Sequence, residues 1–291
     1  MLTLCWRNLL LYFRNRSGVF FSLLGALISF ILYVAFLKDN LTGDWGSSQA
    51  HAGFLDSWLI SGTLAITAIT TTLSAMSQKV EDHEKKAEAD LILTGASRFQ
   101  LSFGYILSSA VIGFIMQVVV FFMMYGYFYL VDDLRITGET ILTLLPLMIL
   151  GSLLNSVVNA VILLMVKNRN TLSALASVVG TISGFLVGAY IPIGILPDVA
   201  QAVVKLTPGA YIASAYRQLL VHDDLNQFFP ALPAREQFSQ EMGIQLKWSE
   251  LLNLQQTLLI AGVIFVAFSL AVAGIESYLA TKSKKAQHAV E

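Results

Sequence analysis

The chain has 291 residues, of which 56% are hydrophobic and 13% are charged, and its formal net charge is −1. With a mean hydropathy of +0.68, a globular domain of this size would be insoluble, so the composition excludes a soluble protein. We therefore expect an all-α polytopic membrane protein, with residues 1–291 forming a single transmembrane domain.

Six apolar stretches account for most of this hydrophobicity, and none of them contains an Asp, Glu, Lys or Arg residue. A spanning helix needs about 20 mainly apolar residues, and a charge at the bilayer centre costs about 2.5 to 3.5 kcal/mol. Each stretch meets this requirement. The sequence therefore predicts six transmembrane helices, over residues 19–37, 57–76, 103–130, 141–166, 171–191 and 251–275.

The Lys and Arg residues outside these stretches are unevenly distributed. Twelve of them lie on the side of the membrane that holds both termini, and six lie on the other side, spread over longer loops. Basic residues concentrate on the cytoplasmic side of membrane proteins. We therefore expect both termini in the cytoplasm.

The segment before the first stretch, residues 1–16, has an amphipathic pattern. Apolar side chains recur at helical spacing while polar ones take the other faces, which predicts a helix at the cytoplasmic interface. Its apolar members are Leu2, Trp6, Leu9, Leu10 and Phe13. This helix is either a simple anchor for the first span or an elbow that positions the bundle on a cytoplasmic partner.

The threonines of the second stretch form one polar stripe. Thr63, Thr67, Thr70 and Ser74 follow one another at steps of four, three and four residues. Such side chains are costly toward lipid, so they face either a neighbouring helix or a translocation path. The fourth stretch carries a second polar pattern, Asn155 and Asn159, one turn apart, which predicts hydrogen bonds between helices.

The cytoplasmic loop over residues 77–102 is the most informative connection. Eight of the twelve residues from Lys79 to Asp90 are charged, and their i,i+4 pairs, Glu81 with Lys85 and Asp82 with Lys86, favour a helix over Glu81–Leu93. The helix would be either a docking surface or a solvated connector. As a docking surface it would use these residues: Glu81, Glu84, Lys85, Glu88, Leu91 and Leu93.

The fifth stretch carries small residues on one face. Gly180, Gly184 and Gly188 lie at four-residue spacing, and Ser173 and Ser177 extend the same face. Two consecutive G-x-x-x-G units let another helix approach closely. We expect a packing or dimer interface there, with a helix of this chain or of a second copy.

Prolines divide the region after the fifth stretch, residues 193–250. Two apolar segments, residues 195–206 and 210–220, are each too short to cross a bilayer. They predict a re-entrant helical hairpin on the outer side, followed by a polar loop. Elsewhere the chain has no phosphate-binding loop, no nucleophile motif and no Cys/His cluster with metal spacing.

Three segments, taken in their order along the chain, resemble the membrane subunits of type-2 ABC exporters. They are Trp6-Arg7-Asn8 running into Tyr12-Phe13-Arg14-Asn15-Arg16, then Glu84-Lys85-Lys86-Ala87-Glu88 to Leu93-Thr94-Gly95-Ala96-Ser97-Arg98, and finally Ile195-Leu196-Pro197, Leu206-Thr207-Pro208 and Tyr211 to Arg217. One departure is Gly95-Ala96, where many relatives carry a proline.

The resemblance implies an elbow helix, a coupling helix between the second and third spans, and a homodimer or pseudo-dimer. It also implies a bacterial plasma-membrane permease without a cofactor, whose ATP and Mg are bound by a separate nucleotide-binding ATPase subunit. Its other partners would be a second copy or a similar permease and the lipid bilayer, with no nucleic acid.

A chain without a phosphate loop must take its energy from elsewhere, which agrees with this reading. The rivals are a membrane-embedded enzyme or assembly factor without an ATPase partner, and an ion channel or ion-coupled carrier. Because the spans contain no charge to pair with an ionic substrate, an amphipathic or hydrophobic substrate is expected. A drug, a hydrophobic peptide and a lipid-linked glycan all remain open.

Overall fold

The computed structural model describes residues 2–38, 49–93, 95–166, 168–229 and 231–288, and within these ranges the chain folds into α-helices without a β-strand. A π-helical turn, Tyr33–Leu37, follows the helix that ends at Leu32, and a 3₁₀ turn, Ile193–Ile195, precedes the helix that begins at Asp198. In chain order the helices are α1 (Leu2–Arg14), α2 (Arg16–Ser22), α3 (Leu24–Leu32), α4 (Gln49–Glu84), α5 (Ala87–Leu93), α6 (Arg98–Asp132), α7 (Gly138–Leu163), α8 (Arg169–Leu186), α9 (Asp198–Lys205), α10 (Pro208–Leu220), α11 (His222–Phe228), α12 (Leu232–Glu241) and α13 (Leu254–His288).

Four of the described helices, α4, α6, α7 and α13, are long and apolar enough to cross a bilayer. The pair α2 and α3, with its π-helical extension, bends by 46° and adds a fifth span if it counts as one broken helix. α8 has 18 residues, many of them Ser, Thr or Gly, and is not among these spans. The predicted all-helical membrane architecture is confirmed, whereas the count of six spans stays a prediction.

Helix α4 forms the centre of the bundle. In the Ala52–Glu84 span, 89% of the most apolar window is buried inside the protein, and α3, α6, α7, α8 and α10 all pack around it. Small residues permit this close packing: a Cβ atom at Gly113 of α6 would lie only 2.5 Å from the Thr72 methyl group. Helix contacts in membranes depend on such close approach.

The two asparagines of α7 differ in what they bind. Asn159 donates to the Ile69 carbonyl at 3.1 Å and to the Thr72 hydroxyl at 2.9 Å, so the predicted bond between helices is confirmed there. Asn155 instead donates to the Gly151 carbonyl of its own helix, and for it the expectation is wrong.

The segment between α8 and α13 folds back onto the bundle at the end that we assign to the outer side. α10 begins with Pro208, which suits the first turn of a helix because proline has no amide hydrogen to leave unpaired. It packs against α4, α7 and α13 and is buried along most of its length. Trp58 of α4 donates to the Met242 carbonyl at 2.8 Å, which fastens the loop after α12 to the central helix.

Candidate functional site

The threonine stripe of α4 lies inside the protein. Thr63, Thr67 and Thr70 are buried, and Ser74 is half-buried. The Thr67 hydroxyl donates to the Thr63 carbonyl at 2.8 Å, and the Thr70 hydroxyl to the Ile66 carbonyl at 3.0 Å. Threonines satisfied by their own helix need no ligand. The buried Thr67 therefore favours helix packing for the upper part of the stripe, whereas the buried Thr63 hydroxyl has no hydrogen-bond partner among the described residues.

The lower part of the stripe faces a groove of about 630 Å³ between the first span, α4 and α8. Its walls combine hydroxyl groups with apolar side chains, and Thr70 and Ser74 line it whereas Thr63 and Thr67 do not. The sequence pattern places these two residues on a path and Gly180, Ser173 and Ser177 on a packing face, and it does not single out the apolar lining residues. Other lining residues include Phe21, Ile28, Ser77, Ser173, Ser177, Thr181 and Tyr190.

A signal for the α8 side of the groove was present in the sequence. Ser173, Ser177 and Thr181 recur every four residues, so they share one face of the helix. The hydroxyls of Ser177 and Thr181 each donate to the carbonyl one turn before, at 3.0 and 2.9 Å. This leaves hydroxyl oxygen atoms along the groove that can still accept a hydrogen bond.

The three glycines predicted to form one packing face occupy three different settings. Gly180 lies beside the first span, where a Cβ atom at Gly25 would be 3.1 Å from the Gly180 carbonyl oxygen. Gly184 is covered by the ring of Tyr190 from the same chain. Gly188 lies beyond the end of α8 at Leu186, so the predicted single helix over 171–191 is wrong in its last turn.

Gly188 has a φ angle of 65°, a left-handed conformation that glycine adopts without a steric penalty. There the chain leaves the helix, and the amide of Ala189 donates back to the Gly184 carbonyl at 2.8 Å. Glycine just past a helix end is a common stop signal. The four-residue spacing therefore mixed one turn residue with two residues of the helix face.

The charge pattern predicted one helix over Glu81–Leu93, but the structure divides this segment into two helices. α4 continues to Glu84, the chain turns at Lys85 and Lys86, and α5 begins at Ala87. Lys86 has a φ angle of 61°, which breaks the helix. Glu81 and Glu84 therefore belong to the end of α4, and Lys85 belongs to the turn.

The residues predicted to contact an ATPase subunit differ in how free they are. Glu84 is exposed, and Leu93 is exposed by 85%. Lys85 is also exposed, and it makes the predicted pair with Glu81 at 3.4 Å. By contrast, Glu81 accepts from Arg169 at 2.8 Å and Glu88 pairs with His83 at 2.8 Å. Leu91 is half-buried against the core. The exposed set forms the surface around the turn and the end of α5.

Three ion pairs join the end of α4 to three other helices. Lys79 contacts Glu276 of α13 at 2.8 Å, and the Glu81 pair with Arg169 joins α8. Asp82 binds Arg7 of α1 through both carboxylate oxygens, at 2.7 and 2.9 Å. The expected pair of Asp82 with Lys86 is wrong, because Lys86 has left the helix.

The ion pair with Asp82 also raises the proton affinity of the Arg7 side chain. The hydrogen bond to Asp82 raises the pKa of the Arg7 guanidinium above its ordinary value, which keeps it charged. Tyr105 of α6 donates to the same carboxylate at 2.6 Å. Arg7 and Asp82 are 75 positions apart, and no spacing rule for a single helix connects them.

An arginine of the outer segment is completely buried. Arg217 of α10 donates to the carbonyls of Val187 and Gly188 at 2.9 and 2.8 Å and to that of Gly243 at 3.1 Å. Its guanidinium lies 4.8 Å from the ring centre of Trp58. The contacts found in the described ranges thus fasten α10 to the end of α8 and to α4.

A second cavity, of about 840 Å³, opens between α7, α10 and α12. Its lining includes Glu139, Gln218, Arg235 and Asn253, none of which belongs to the stripe or to the cytoplasmic loop. The groove beside α4 and α8 therefore remains the cavity that joins the sequence-predicted path residues.

Comparison with known proteins gives one family. The model of the ABC-2 type transporter family matches residues 1–221. The matched region contains α1 to α10, and with them the groove, the turn after α4 and the buried arginine. Among curated proteins, none matches this chain.

Proposed function

Because the chain belongs to the ABC-2 type transporter family, we propose that it exports an amphipathic or hydrophobic substrate using ATP hydrolysed by a separate subunit. Members of this family are membrane subunits for transport rather than enzymes, and they generally work with an ATP-binding subunit. The chain is accordingly a multi-pass permease of an ABC transporter. Export, the substrate class and the specific partner are the proposal.

The proposed topology has six spans and both termini in the cytoplasm. Four long helices and the bent first pair supply five spans. The sixth is α8, which packs against α3 and α4. α1 is the elbow helix, and α9 with α10 is the outer re-entrant hairpin. The excess of Lys and Arg on one side supports this orientation.

The observation that carries the proposal is the groove between the first span, α4 and α8. A hydroxyl-lined wall beside apolar side chains can bind a molecule that has both kinds of surface. Among the described residues, nothing lies within 4 Å of the position of a Cβ atom at Gly180. We place a second copy against this side, so that two grooves form one substrate path.

The proposed coupling element is the turn at Lys85 together with α5. It is exposed, it follows directly from α4, and it ends at the exposed Leu93. A displacement of α5 by an ATPase subunit would act directly on the end of α4. The same helix lines the groove with Thr70 and Ser74. Glu84, Lys85 and Leu93 are the contact residues that this arrangement supports best.

Cysteine accessibility tests the proposed path. With Cys5 replaced by Ser, single cysteines at Ser74 and Ser177 should react with aqueous thiol reagents in at least one nucleotide state of the complex in liposomes. Thr67→Cys is the matched control, since Thr67 lies on α4 but is buried away from the groove. Protection of Ser74→Cys and Ser177→Cys in every nucleotide state would refute the path.

A further inference from the structure

Helix α1 contacts the protein through polar side chains together with the buried Leu4 and Tyr12, and it exposes a face of large apolar side chains. Arg7 binds Asp82, the Asn8 amide donates to the Ser108 hydroxyl at 3.0 Å, and the hydroxyls of Tyr12 and Ser22 lie 2.8 Å apart. The apolar side chains that point away are exposed by 79% at Leu2, 64% at Trp6, 53% at Leu10 and 41% at Phe13. A helix on a water-soluble protein shows the opposite arrangement.

This apolar face continues into the first span. α2 begins two residues after α1 ends. Phe20 is 54% exposed and, unlike Phe21, does not line the groove. Because α2 belongs to a candidate membrane-spanning pair, we expect lipid to cover the Phe20 ring. A surface continuous with this ring would be covered by the interface of the same bilayer, and Trp6 is a side chain that favours this depth.

The charges at the junction of α1 and α2 are exclusively positive. Residues 2–22 contain three arginines and no Asp or Glu. Arg7 is neutralised by Asp82, whereas Arg14 and Arg16 are exposed. They stand directly before the apolar stretch that begins at Val19, so we expect their guanidinium groups at the level of lipid phosphates.

We propose that α1, together with Arg14 and Arg16, is a binding surface for anionic lipid headgroups. The guanidinium group binds phosphate through paired N–H donors, and the apolar face holds the helix at the interface. A basic residue near an anionic membrane surface gains enough energy to enrich anionic lipid about fivefold. The inference concerns lipid selection and stands whether or not the chain transports a substrate.

Quenching of Trp6 fluorescence by brominated lipids tests this surface. The full-length protein is placed in phosphatidylcholine nanodiscs that contain the same minor fraction of either brominated phosphatidylglycerol or brominated phosphatidylcholine. The difference between the wild-type protein and Trp6→Phe isolates the Trp6 signal. We expect several-fold stronger quenching by the anionic lipid, and loss of this excess in the Arg14→Gln/Arg16→Gln double variant.

The control variant is Arg135→Gln, which removes an exposed arginine from the opposite side of the chain and should retain the excess. Continued quenching of the double variant by brominated phosphatidylcholine shows that α1 still lies on the bilayer. Equal quenching by the two lipids in the wild-type protein, or an excess that survives in the double variant, would overturn the proposal. Absence of quenching by either lipid would also overturn it, because protein would then cover this face.

Discussion

Helices α4 and α13 are both candidate spans, yet they relate to the rest of the protein in opposite ways. In α4, 89% of the most apolar window is buried, against 11% in α13. α4 is the least apolar of the four long spans and α13 the most apolar. In a bilayer the hydrocarbon is as apolar as a protein core, so polarity, and not hydrophobicity, draws a helix inward.

The two helices are also held in different ways. α4 is buried along most of its length, and Thr67, Thr70 and Thr71 satisfy their hydroxyls through its own backbone. α13 exposes Leu259, Val263, Val266 and Leu270 and makes its polar contacts near its ends. Thr257 accepts from Gln218 at 3.2 Å at one end, and Glu276 binds Lys79 at the other. Removal of one of these polar contacts should therefore detach α13 more readily than a substitution along the middle of the helix.

The largest effect is expected from a side chain added to the central helix. A Cβ atom at Gly62 would lie 2.8 Å from the Cβ of Ala189, so Gly62→Leu should destabilise the fold by about 3 kcal/mol. Gly262→Leu on α13 is the matched control, because a Cβ atom there meets nothing within 4 Å. Unfolding midpoints in detergent measure both, and equal midpoints would contradict the comparison.

The next effect concerns the ion pair that joins the two helices. Glu276→Leu leaves Lys79 without its carboxylate, and we expect a loss of about 1 to 2 kcal/mol, since both side chains retain some solvent contact. The double variant Lys79→Met/Glu276→Leu should recover much of this loss. A double-mutant cycle on unfolding free energies gives the coupling, and strictly additive losses would show that the pair is unimportant.

Substitutions in the threonine stripe should have smaller effects on stability, and their effects on transport should differ between the two parts of the stripe. Thr67→Val and Thr70→Val each remove a hydroxyl that bonds its own helix, so each should change the unfolding free energy by less than about 1 kcal/mol. Transport in proteoliposomes should fall only for Thr70→Val, because Thr70 lines the groove. A Thr67→Val variant with the larger transport defect would remove the groove as the path.

The smallest effect is expected on the outer face of α13. Leu270 is 67% exposed, and lipid replaces the contacts that Leu270→Ala removes, so the unfolding free energy should change by less than about 0.5 kcal/mol. Leu64→Ala on α4, at a fully buried position, provides the contrast. If the two alanine variants lower the unfolding free energy by the same amount, protein rather than lipid covers this face of α13.

The sequence predicted what depends on one segment at a time. Apolar runs located the long spans, and Asn159 indicated a bond between helices, because a polar group in hydrocarbon must find a partner. The glycine spacing failed at Gly188, since a repeat of four cannot distinguish a helix face from a helix end. Arg7 with Asp82, and Arg217 with its carbonyls, join distant positions, and only the fold brings them together.

The burial of Arg217 has a consequence for the order in which the protein is assembled. Its acceptors come from both directions along the chain, Val187 and Gly188 before it and Gly243 after it. A desolvated guanidinium with open N–H groups is costly, so we expect Arg217 to be buried fully only after synthesis has passed residue 243 and α8 has ended at its turn. A chain released before Gly243 would leave a second N–H group of this cation open, beside the Nε group that has no partner among the described residues.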